Sequence, residues 1–290
     1  MDKLYSFVLY KMILFVFSKL TYQQMRQSLI FFCLFLFVLS IPCKSESPYK
    51  LKPTEDYLIL GAGAATGIST YFIFNKDRSL SEERIADLSR SDINSFDRSA
   101  VNNWSPEAAD FSEVAMWLSV SALIPLATNT QAWNDALTIG VMSAETIIWA
   151  LSLPQLSKIT TSRSRPYVYN EMVDESYKLE ARANESFFSR TTTVAFASAV
   201  FSATLFDAYY PDSPYSKPIW VGLLTCASIA GYLKFQAGQH FPTDIITGAV
   251  VGSFIGWFVP YMHRNQRNDS MSFGIFPATD GIRAAMVLKL

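Results

Sequence analysis

The chain has 290 residues, of which 50% are hydrophobic and 17% are charged, and its formal net charge is only -1. Soluble domains carry roughly 25% charged residues, so this composition favours a membrane protein. A net charge so close to zero gives no field that would attract nucleic acid, which is therefore not expected as a partner. The three cysteines, Cys33, Cys43 and Cys226, show no spacing typical of a metal site or a disulfide framework.

The amino-terminal region contains two apolar stretches, Leu4 to Phe17 and Leu29 to Ile41. The second is typical of a signal sequence, because a basic residue after Met25 precedes an apolar core and Cys43 to Ser45 suits a cleavage site. Residues 1–45 are therefore predicted to be a signal peptide or an uncleaved signal anchor. In this interpretation Met25 could be the true initiator.

Six further segments are long, apolar and almost free of charge, which is typical of membrane-spanning helices. They are Tyr57 to Phe74, Phe111 to Ala127, Ala136 to Leu153, Thr192 to Leu205, Ile219 to Leu233 and Ile245 to Tyr261. Buried helices of a soluble protein are the alternative, but a chain of this size has too little polar surface to cover six of them. The sequence therefore predicts an all-α fold, a polytopic membrane bundle of about six helices.

Small residues at four-residue spacing predict close packing of two of these helices. They are Gly248, Gly252 and Gly256 in the last segment and Gly61, Ala65 and Ser69 in the first. Residues 46–110 are predicted to form the first membrane segment and a polar connecting region with short surface helices. In the tail, residues 263–290, two short apolar runs predict a β-hairpin.

The segment His240-Phe-Pro-Thr-Asp244 places two titratable residues at the start of the last apolar segment. Pro242 suits the first turn of a helix, because its missing N–H would have no helical partner there. Asp244 could then accept a hydrogen bond from Nδ1 of His240 and leave Nε2 as a nucleophile. A helix-capping role for the same residues is the alternative.

Lys158 and Arg165 form a second polar group, seven residues apart and followed by Pro166. If the preceding helix continued to Arg165, the two cations would share one face, which suits the oxygens of a phosphate dianion. Basic residues at a membrane boundary also arise from the positive-inside rule, so this segment alone leaves a topological role open.

Taken together, these segments resemble the type 2 phosphatidic acid phosphatase and vanadium haloperoxidase superfamily. Its motifs read K-x-x-x-x-x-x-R-P, P-S-G-H and S-R-x-x-x-x-x-H-x-x-x-D. Lys158, Arg165 and Pro166 match the first motif in full, and His240 and Asp244 match the third. The resemblance covers residues 111–262 and implies a helical membrane domain with a phosphate site.

The chain departs from the family pattern in two motifs. At the second motif Ser189 is kept, but Arg190 replaces glycine and Thr191 replaces histidine. At the third, Lys234 replaces arginine, which keeps the charge and loses the bidentate fork. In the family the missing histidine protonates the leaving group or assists in doing so, and threonine is a poor acid near neutral pH. His263 is expected near the opposite end of the last helix and cannot replace it.

The resemblance implies a membrane-embedded phosphatase that hydrolyses lipid phosphates or diphosphates through a phosphohistidine intermediate, at a rate lowered by the missing histidine. Diphosphates are the expected better substrates, because a good leaving group needs less protonation. The alternative is a catalytically inactive membrane protein that binds lipid phosphate headgroups. Membrane lipids are the other expected partners.

The resemblance also implies roles for individual residues. His240 is the expected nucleophile, and Asp244 is expected to orient it. The expected phosphate-binding residues are Lys158, Arg165, Ser189, Arg190 and Lys234, and Thr191 is the degenerate position. No cofactor or metal is expected, because this chemistry requires none and no carboxylate cluster is evident in the sequence.

The membrane side of the predicted site depends on two conflicting signals. The family implies a bacterial inner membrane with the site on the extracytoplasmic face. A cleaved signal peptide followed by six crossings would instead place Lys158 and His240 on the cytoplasmic face. The resemblance favours the extracytoplasmic face, and the site is expected there.

Overall fold

The computed structural model describes residues 47–74, 79–265, 271–278 and 281–288. The predicted signal peptide or anchor at residues 1–45 lies outside this part of the chain. The long helices of the described part are α1 (Pro53–Phe74), α2 (Pro106–Val120), α3 (Ala136–Thr161), α4 (Arg190–Tyr209), α5 (Ser216–Gln236) and α6 (Pro242–His263). They confirm the predicted all-α bundle of about six helices.

Short elements connect the long helices. Short α-helices cover Glu82–Ala86, Thr130–Asn134 and Glu175–Lys178, and 3₁₀ helices cover Arg90–Asp92, Arg98–Asn102, Ser121–Thr128, Pro166–Tyr169 and Ala181–Asn184. The polar region after α1 therefore contains short helices, as the sequence predicts. In the tail, β1 (Met271–Ala278) pairs antiparallel with β2 (Gly281–Leu288), which is the predicted hairpin.

Local signals determine where the long helices begin and end. Ser105 caps α2 by accepting a hydrogen bond from the backbone N–H of Ala108, and Pro106 occupies the first helical turn. Ser162 ends α3 in the left-handed conformation, with φ of 44°. Helix α6 begins at Pro242, the residue that the sequence predicts for its first turn.

Helix α4 lies at the centre of the bundle, where it contacts α2, α3, α5 and α6. In its most apolar stretch 78% of the residues are buried, against 22% to 33% in the other candidate membrane spans. Many of its buried residues are small or carry a hydroxyl, such as Ala195, Ala197, Thr192 and Thr193. Side chains of this size allow neighbouring helices to approach closely.

Large apolar side chains cover the outer surface of the bundle, among them Phe111, Trp117, Val221, Val250 and Phe254. Soluble proteins rarely expose extended apolar patches, so this distribution indicates contact with lipid. The described helical stretches that are long and apolar enough to cross a membrane are Pro106–Thr128, Ala136–Tyr169, Arg190–Tyr209, Ser216–Gln236 and Pro242–His263. The protein is therefore an integral membrane protein.

Helix α1 lies outside that set of five but has a suitable length. Its 22 residues correspond to about 33 Å, close to the thickness of a bilayer core. It packs against α3.

The predicted glycine face of α6 packs directly on α4. A Cβ atom would lie 2.3 Å from the carbonyl oxygen of Thr193 at Gly252 and 2.3 Å from that of Ala197 at Gly256. Both distances are far below any normal carbon–oxygen contact. Glycine is therefore required at these positions for the two helix backbones to approach as they do.

The predicted small-residue face of α1 is wrong. Gly61, Ala65 and Ser69 are exposed, and a Cβ atom at Gly61 would meet nothing within 4 Å. The face that contacts α3 contains Gly63 and Gly67 instead, beside Ile148 and Ser152 of α3. A helix rich in small residues offers more than one four-residue repeat, and tertiary packing selects one of them.

Candidate active site

The predicted site residues lie at one end of the bundle because consecutive helices run in alternating directions. Helices α3 and α5 end there, and α2, α4 and α6 begin there. Direct contacts join these ends: the backbone N–H of Ser189 donates to the carbonyl oxygen of Asp244 at 3.1 Å. Residues far apart in the sequence therefore meet around His240.

His240 is held as a neutral imidazole with a defined tautomer. Its side chain is buried, and Nδ1 lies 2.7 Å from the carbonyl oxygen of Ser186. A carbonyl oxygen can only accept, so Nδ1 carries the proton and the lone pair is on Nε2. Burial, reinforced by the charges of Arg165 and Lys158, lowers the pKa of His240 to about 3 against the opposing effect of Asp244.

Asp244 orients the histidine through an intermediate residue. The distance from Nδ1 of His240 to Oδ2 of Asp244 is 3.7 Å, too long for the direct hydrogen bond that the sequence predicts. Oδ2 instead accepts from the hydroxyl of Ser186 at 2.5 Å and from the backbone N–H of Phe241 at 2.9 Å. Asp244 therefore fixes Ser186, whose carbonyl oxygen fixes the imidazole.

Arg163 and Asp97 form a support behind this arrangement that the sequence reasoning missed. The guanidinium of Arg163 donates to Oδ1 of Asp244 at 2.6 Å and to Oδ2 of Asp97 at 2.7 Å, and it lies 4.1 Å above the ring centre of Phe241. Asp97 also accepts from the backbone N–H of Thr243 at 2.9 Å. Although burial opposes it, hydrogen bonds from Thr243 and Arg163 lower the pKa of Asp97 overall.

Lys158 and Arg165 both lie near His240, but they do not share a helical face as the sequence predicts. Helix α3 ends at Thr161, and the chain reverses at Ser162 before it reaches Arg165. The backbone N–H of Arg165 is held by the carbonyl oxygen of Ala183 at 2.8 Å. The loop after α3, and not a continuous helical face, therefore positions Arg165 in the site.

The guanidinium of Arg165 has one donor to spare. Its Nε is buried and has no hydrogen-bond partner among the described residues. A buried donor without a partner costs free energy, which an incoming anion would recover. Lys158 is buried as well, with 4% of its surface exposed.

Lys234 and the degenerate position Thr191 meet at a carboxylate that the sequence reasoning did not single out. Oε1 of Glu113 lies 2.8 Å from Nζ of Lys234 and accepts from the hydroxyl of Thr191 at 3.0 Å. Nζ of Lys234 also donates to the side-chain oxygen of Gln239 at 3.1 Å. A titratable group, Glu113, therefore lies beside Thr191, the position at which the motif resemblance implies a histidine.

Ser189 and Arg190 occupy the start of α4. The hydroxyl oxygen of Ser189 caps the helix by accepting from the backbone N–H of Thr192 at 3.3 Å. Arg190 is exposed at the edge of the site, and its charge acts on Lys158 and Lys234. Ser189 therefore caps α4, and Arg190 adds a positive charge that acts on Lys158 and Lys234.

Gly238 shapes the loop that carries His240. Its φ is 66°, and a Cβ atom there would lie 2.1 Å from the carbonyl oxygen of Asn103. Its own carbonyl oxygen accepts from the backbone N–H of Tyr167 at 3.0 Å. A glycine is needed for both reasons, and the loop is thereby anchored on two sides of the site.

These observations define a polytopic membrane protein with a buried neutral histidine beside a group of lysine and arginine side chains. The model of the PAP2 superfamily matches residues 139–268, which include both histidines and the cations of the first and third motifs. Residues 139–268 therefore match the PAP2 superfamily, as the motif resemblance predicts.

Two further proteins are similar to this chain. The chain is 24% identical over 142 residues to an undecaprenyl-diphosphatase from Sulfolobus acidocaldarius, a match that covers 49% of this chain and 61% of that relative. The chain therefore spans less than two thirds of that relative's length. A transmembrane PAP2 type phosphatidylglycerolphosphate phosphatase from Bacillus subtilis superposes with a TM-score of 0.42 at 20% identity, covering 73% of this chain and 95% of that chain.

Proposed function

We propose that this protein is a membrane phosphatase that hydrolyses lipid phosphates or diphosphates through a phosphohistidine intermediate on His240. The observation that carries the proposal is the unprotonated Nε2 of a buried imidazole, with Lys158 and Arg165 close enough for their charges to act on it. This combination suits a nucleophile that attacks an anionic phosphorus centre. The similarity to an undecaprenyl-diphosphatase supports a diphosphate-bearing lipid as substrate.

In the first step, Nε2 of His240 attacks the terminal phosphorus, and the bond between phosphorus and the leaving oxygen breaks. The leaving oxygen takes the bonding electron pair, and a phosphorus–nitrogen bond forms. Arg165 and Lys158 stabilise the non-bridging oxygens, with Lys234 as a third cation. The Ser186 carbonyl stabilises the imidazole as it gains positive charge, because it already accepts the Nδ1 proton.

In the second step, the proposed base that acts on water is Glu113. Its carboxylate can accept a proton from the water that attacks phosphorus, while the phosphorus–nitrogen bond breaks and its electron pair returns to Nε2 of His240. The pairing of Glu113 with the ammonium of Lys234 keeps the carboxylate ionised for this role. The same pairing makes it a poor proton donor in the first step. A diphosphate substrate fits this limitation, because its leaving group is already a weak base.

The alternative is a protein that binds lipid phosphate headgroups without turnover. Two observations favour it: Lys234 is already paired with Glu113, and Thr191 carries no titratable group. An anion could then be held by Arg165 and Lys158 while no group assists the leaving oxygen.

The proposal is tested with the full chain purified in detergent and assayed for phosphate release. The substrates are a prenyl diphosphate, phosphatidylglycerol phosphate and phosphatidic acid, and the variants are His240→Ala and Glu113→Gln. We expect release that is fastest from the diphosphate, absent in His240→Ala and reduced in Glu113→Gln. Faster release from phosphatidic acid would count against the substrate class, and unchanged release by His240→Ala would count against the nucleophile. If the protein binds the headgroups but hydrolyses none of the substrates, the alternative is supported.

A further inference from the structure

A second group of titratable side chains lies at the end of the bundle opposite His240. Asp56 of α1, Glu145 of α3 and His263 of α6 are each at most 1% exposed. Nε2 of His263 lies 3.0 Å from Oδ1 of Asp56 and 3.4 Å from Oε2 of Glu145. One ligand atom from each of the three residues lies within 4.8 Å of the others.

The surroundings orient two of these side chains towards the centre of the cluster. Nδ1 of His263 lies 2.9 Å from the carbonyl oxygen of Val259, so Nδ1 carries a proton and Nε2 faces the carboxylates. Oδ2 of Asp56 accepts from the backbone N–H of Lys52 at 2.9 Å, which leaves Oδ1 to face His263. Outer contacts of this kind commonly fix metal-binding histidines and carboxylates.

Glu145 is the independent sign that the cluster is incomplete. It is fully buried, and neither carboxylate oxygen has a hydrogen-bond partner among the described residues. The charged group that acts on it is Asp56, which has the same sign. Burying two carboxylates beside one imidazole is costly unless a cation compensates them.

The distances suit a single small cation. Bonds of about 2.1 Å to nitrogen and oxygen at tetrahedral angles place ligand atoms about 3.4 Å apart, close to the 3.0 Å and 3.4 Å found around Nε2. One imidazole and two carboxylates form a donor set suited to a first-row divalent cation such as Zn²⁺ or Mn²⁺. An ionisable cluster inside membrane helices is also an expensive feature unless it serves a purpose.

We propose that Asp56, Glu145 and His263 bind one divalent metal ion that fastens α1 to α3 and α6. The site is separate from the proposed phosphatase site, because the 22 residues of α6 place His263 about 32 Å along the helix from Pro242. It goes beyond the sequence analysis, in which no carboxylate cluster is evident. No local sequence pattern indicates the cluster, because Asp56 and His263 are 207 residues apart.

Metal content of the full chain tests the proposal without reference to phosphatase activity. The protein is purified in detergent, stripped with a chelator, dialysed against Zn²⁺, Mn²⁺, Mg²⁺ or Ca²⁺, and analysed for bound metal and thermal unfolding. We expect about one equivalent of Zn²⁺ or Mn²⁺ per chain and a higher unfolding temperature with that metal, as ligand binding to the folded state requires.

Matched variants distinguish this cluster from other ligands. Glu145→Gln and His263→Gln should lose the metal and the thermal shift, whereas His240→Ala should keep both, because its histidine belongs to the other site. If a variant fails to fold, the stoichiometry of the unaltered protein still decides. Less than about 0.2 equivalents with all four cations, or metal retained by Glu145→Gln and His263→Gln, would overturn the proposal.

Discussion

The hydrogen bond between His240 and the carbonyl oxygen of Ser186 determines which ring nitrogen can act as a nucleophile. Because Nδ1 is committed to a carbonyl oxygen, the lone pair on Nε2 is fixed without any proton transfer. Asp244 contributes by holding Ser186 and the start of α6. A substitution that removes the Ser186 hydroxyl would remove its hydrogen bond to Asp244 but keep the carbonyl oxygen that binds His240. Such a variant therefore tests the contribution of Asp244 separately from that of the carbonyl.

The low pKa of His240 predicts a loss of stability in acid. An unfolded histidine has a pKa of about 6.5, whereas burial lowers that of His240 to about 3 in the folded chain. Below pH 6.5 the unfolded chain therefore binds a proton that the folded chain does not, and stability decreases as the pH falls through this window. Between pH 6.5 and 5 the loss should be about 2 kcal/mol.

Thermal unfolding in detergent measures this effect, with His240→Gln as the comparison. Glutamine keeps polar atoms in the site and cannot titrate, so the variant should lose less stability on acidification than the unaltered protein. Equal losses in the two proteins would contradict a shift caused by burial of His240.

Replacing Thr191 with histidine should raise the activity, because histidine can protonate the leaving group. Its hydroxyl donates to Glu113, and the motif resemblance implies a histidine at this position. Thr191→His should raise phosphate release from phosphatidic acid by at least tenfold, as a part of the 10²- to 10⁴-fold that acid catalysis typically supplies. The gain should be smaller for a diphosphate, whose leaving group needs less protonation.

The control for this gain is Thr191→Asn, which adds a polar side chain that does not titrate near neutrality. Initial rates of both variants against both substrates measure the effect. Equal rates for the histidine and asparagine variants would show that the acid at this position does not limit the protein.

The contact between α4 and α6 is the tightest packing at the scale of whole elements, and it can be tested at Gly252. Alanine there would place a carbon 2.3 Å from the carbonyl oxygen of Thr193, so the helices must separate. Overpacking of this kind typically costs about 1–3 kcal/mol. Gly252→Ala should lower the unfolding temperature and, by moving the start of α6, also the activity.

Gly222 provides the matched control, because it lies in α5 and a Cβ atom there would meet nothing within 4 Å. Gly222→Ala should leave stability within about 0.5 kcal/mol, as exposed substitutions usually do. Thermal unfolding of the two variants in the same detergent is the measurement. Similar unfolding temperatures for both would argue against close contact of α4 and α6.

Elements were predictable from the sequence to different degrees. Length and apolarity locate the six long helices of the described residues, and Pro242 gives the start of α6 within a residue. The packed face of α1 was not predictable, because Gly61 and Gly63 are equally small and the choice between their faces depends on α3. The turn at Ser162, which ends α3 before Arg165, has no glycine to announce it.

For the whole molecule, the alternating directions of the helices predict the topology of the loops. Met172 lies between α3 and α4, near the candidate active site, and Asp212 lies between α4 and α5. Both are exposed, and α4 separates them across the bundle. Single cysteines at these positions, in a chain without Cys33, Cys43 and Cys226, should react with a membrane-impermeant thiol reagent from opposite faces.

Labelling of intact cells and of inverted vesicles measures this prediction and also gives the side of the proposed site. Reaction of Met172→Cys in intact cells would place it on the extracytoplasmic face, as proposed from the family resemblance. Reaction of both cysteines from the same face would contradict the crossing of α4.

The site as a whole was predictable only where its residues follow a short motif. His240, Lys158 and Arg165 are evident from residue type and spacing. Glu113 and Asp97 are not, because Glu113 meets Thr191 from 78 residues away and Asp97 meets Arg163 from 66. Such contacts depend on which helix ends come together, and a single sequence contains no local signal for that.

The enclosure of α4 has a consequence for how the protein is assembled in the cell. Its apolar stretch has the lowest mean hydropathy of the five candidate spans, and most of its surface faces other helices. Transfer of this segment alone into the bilayer is therefore the least favourable of the five. Its hydroxyl groups find hydrogen-bond partners in protein but not in hydrocarbon. During synthesis α4 should therefore enter the bilayer together with α2 and α3, against which it packs.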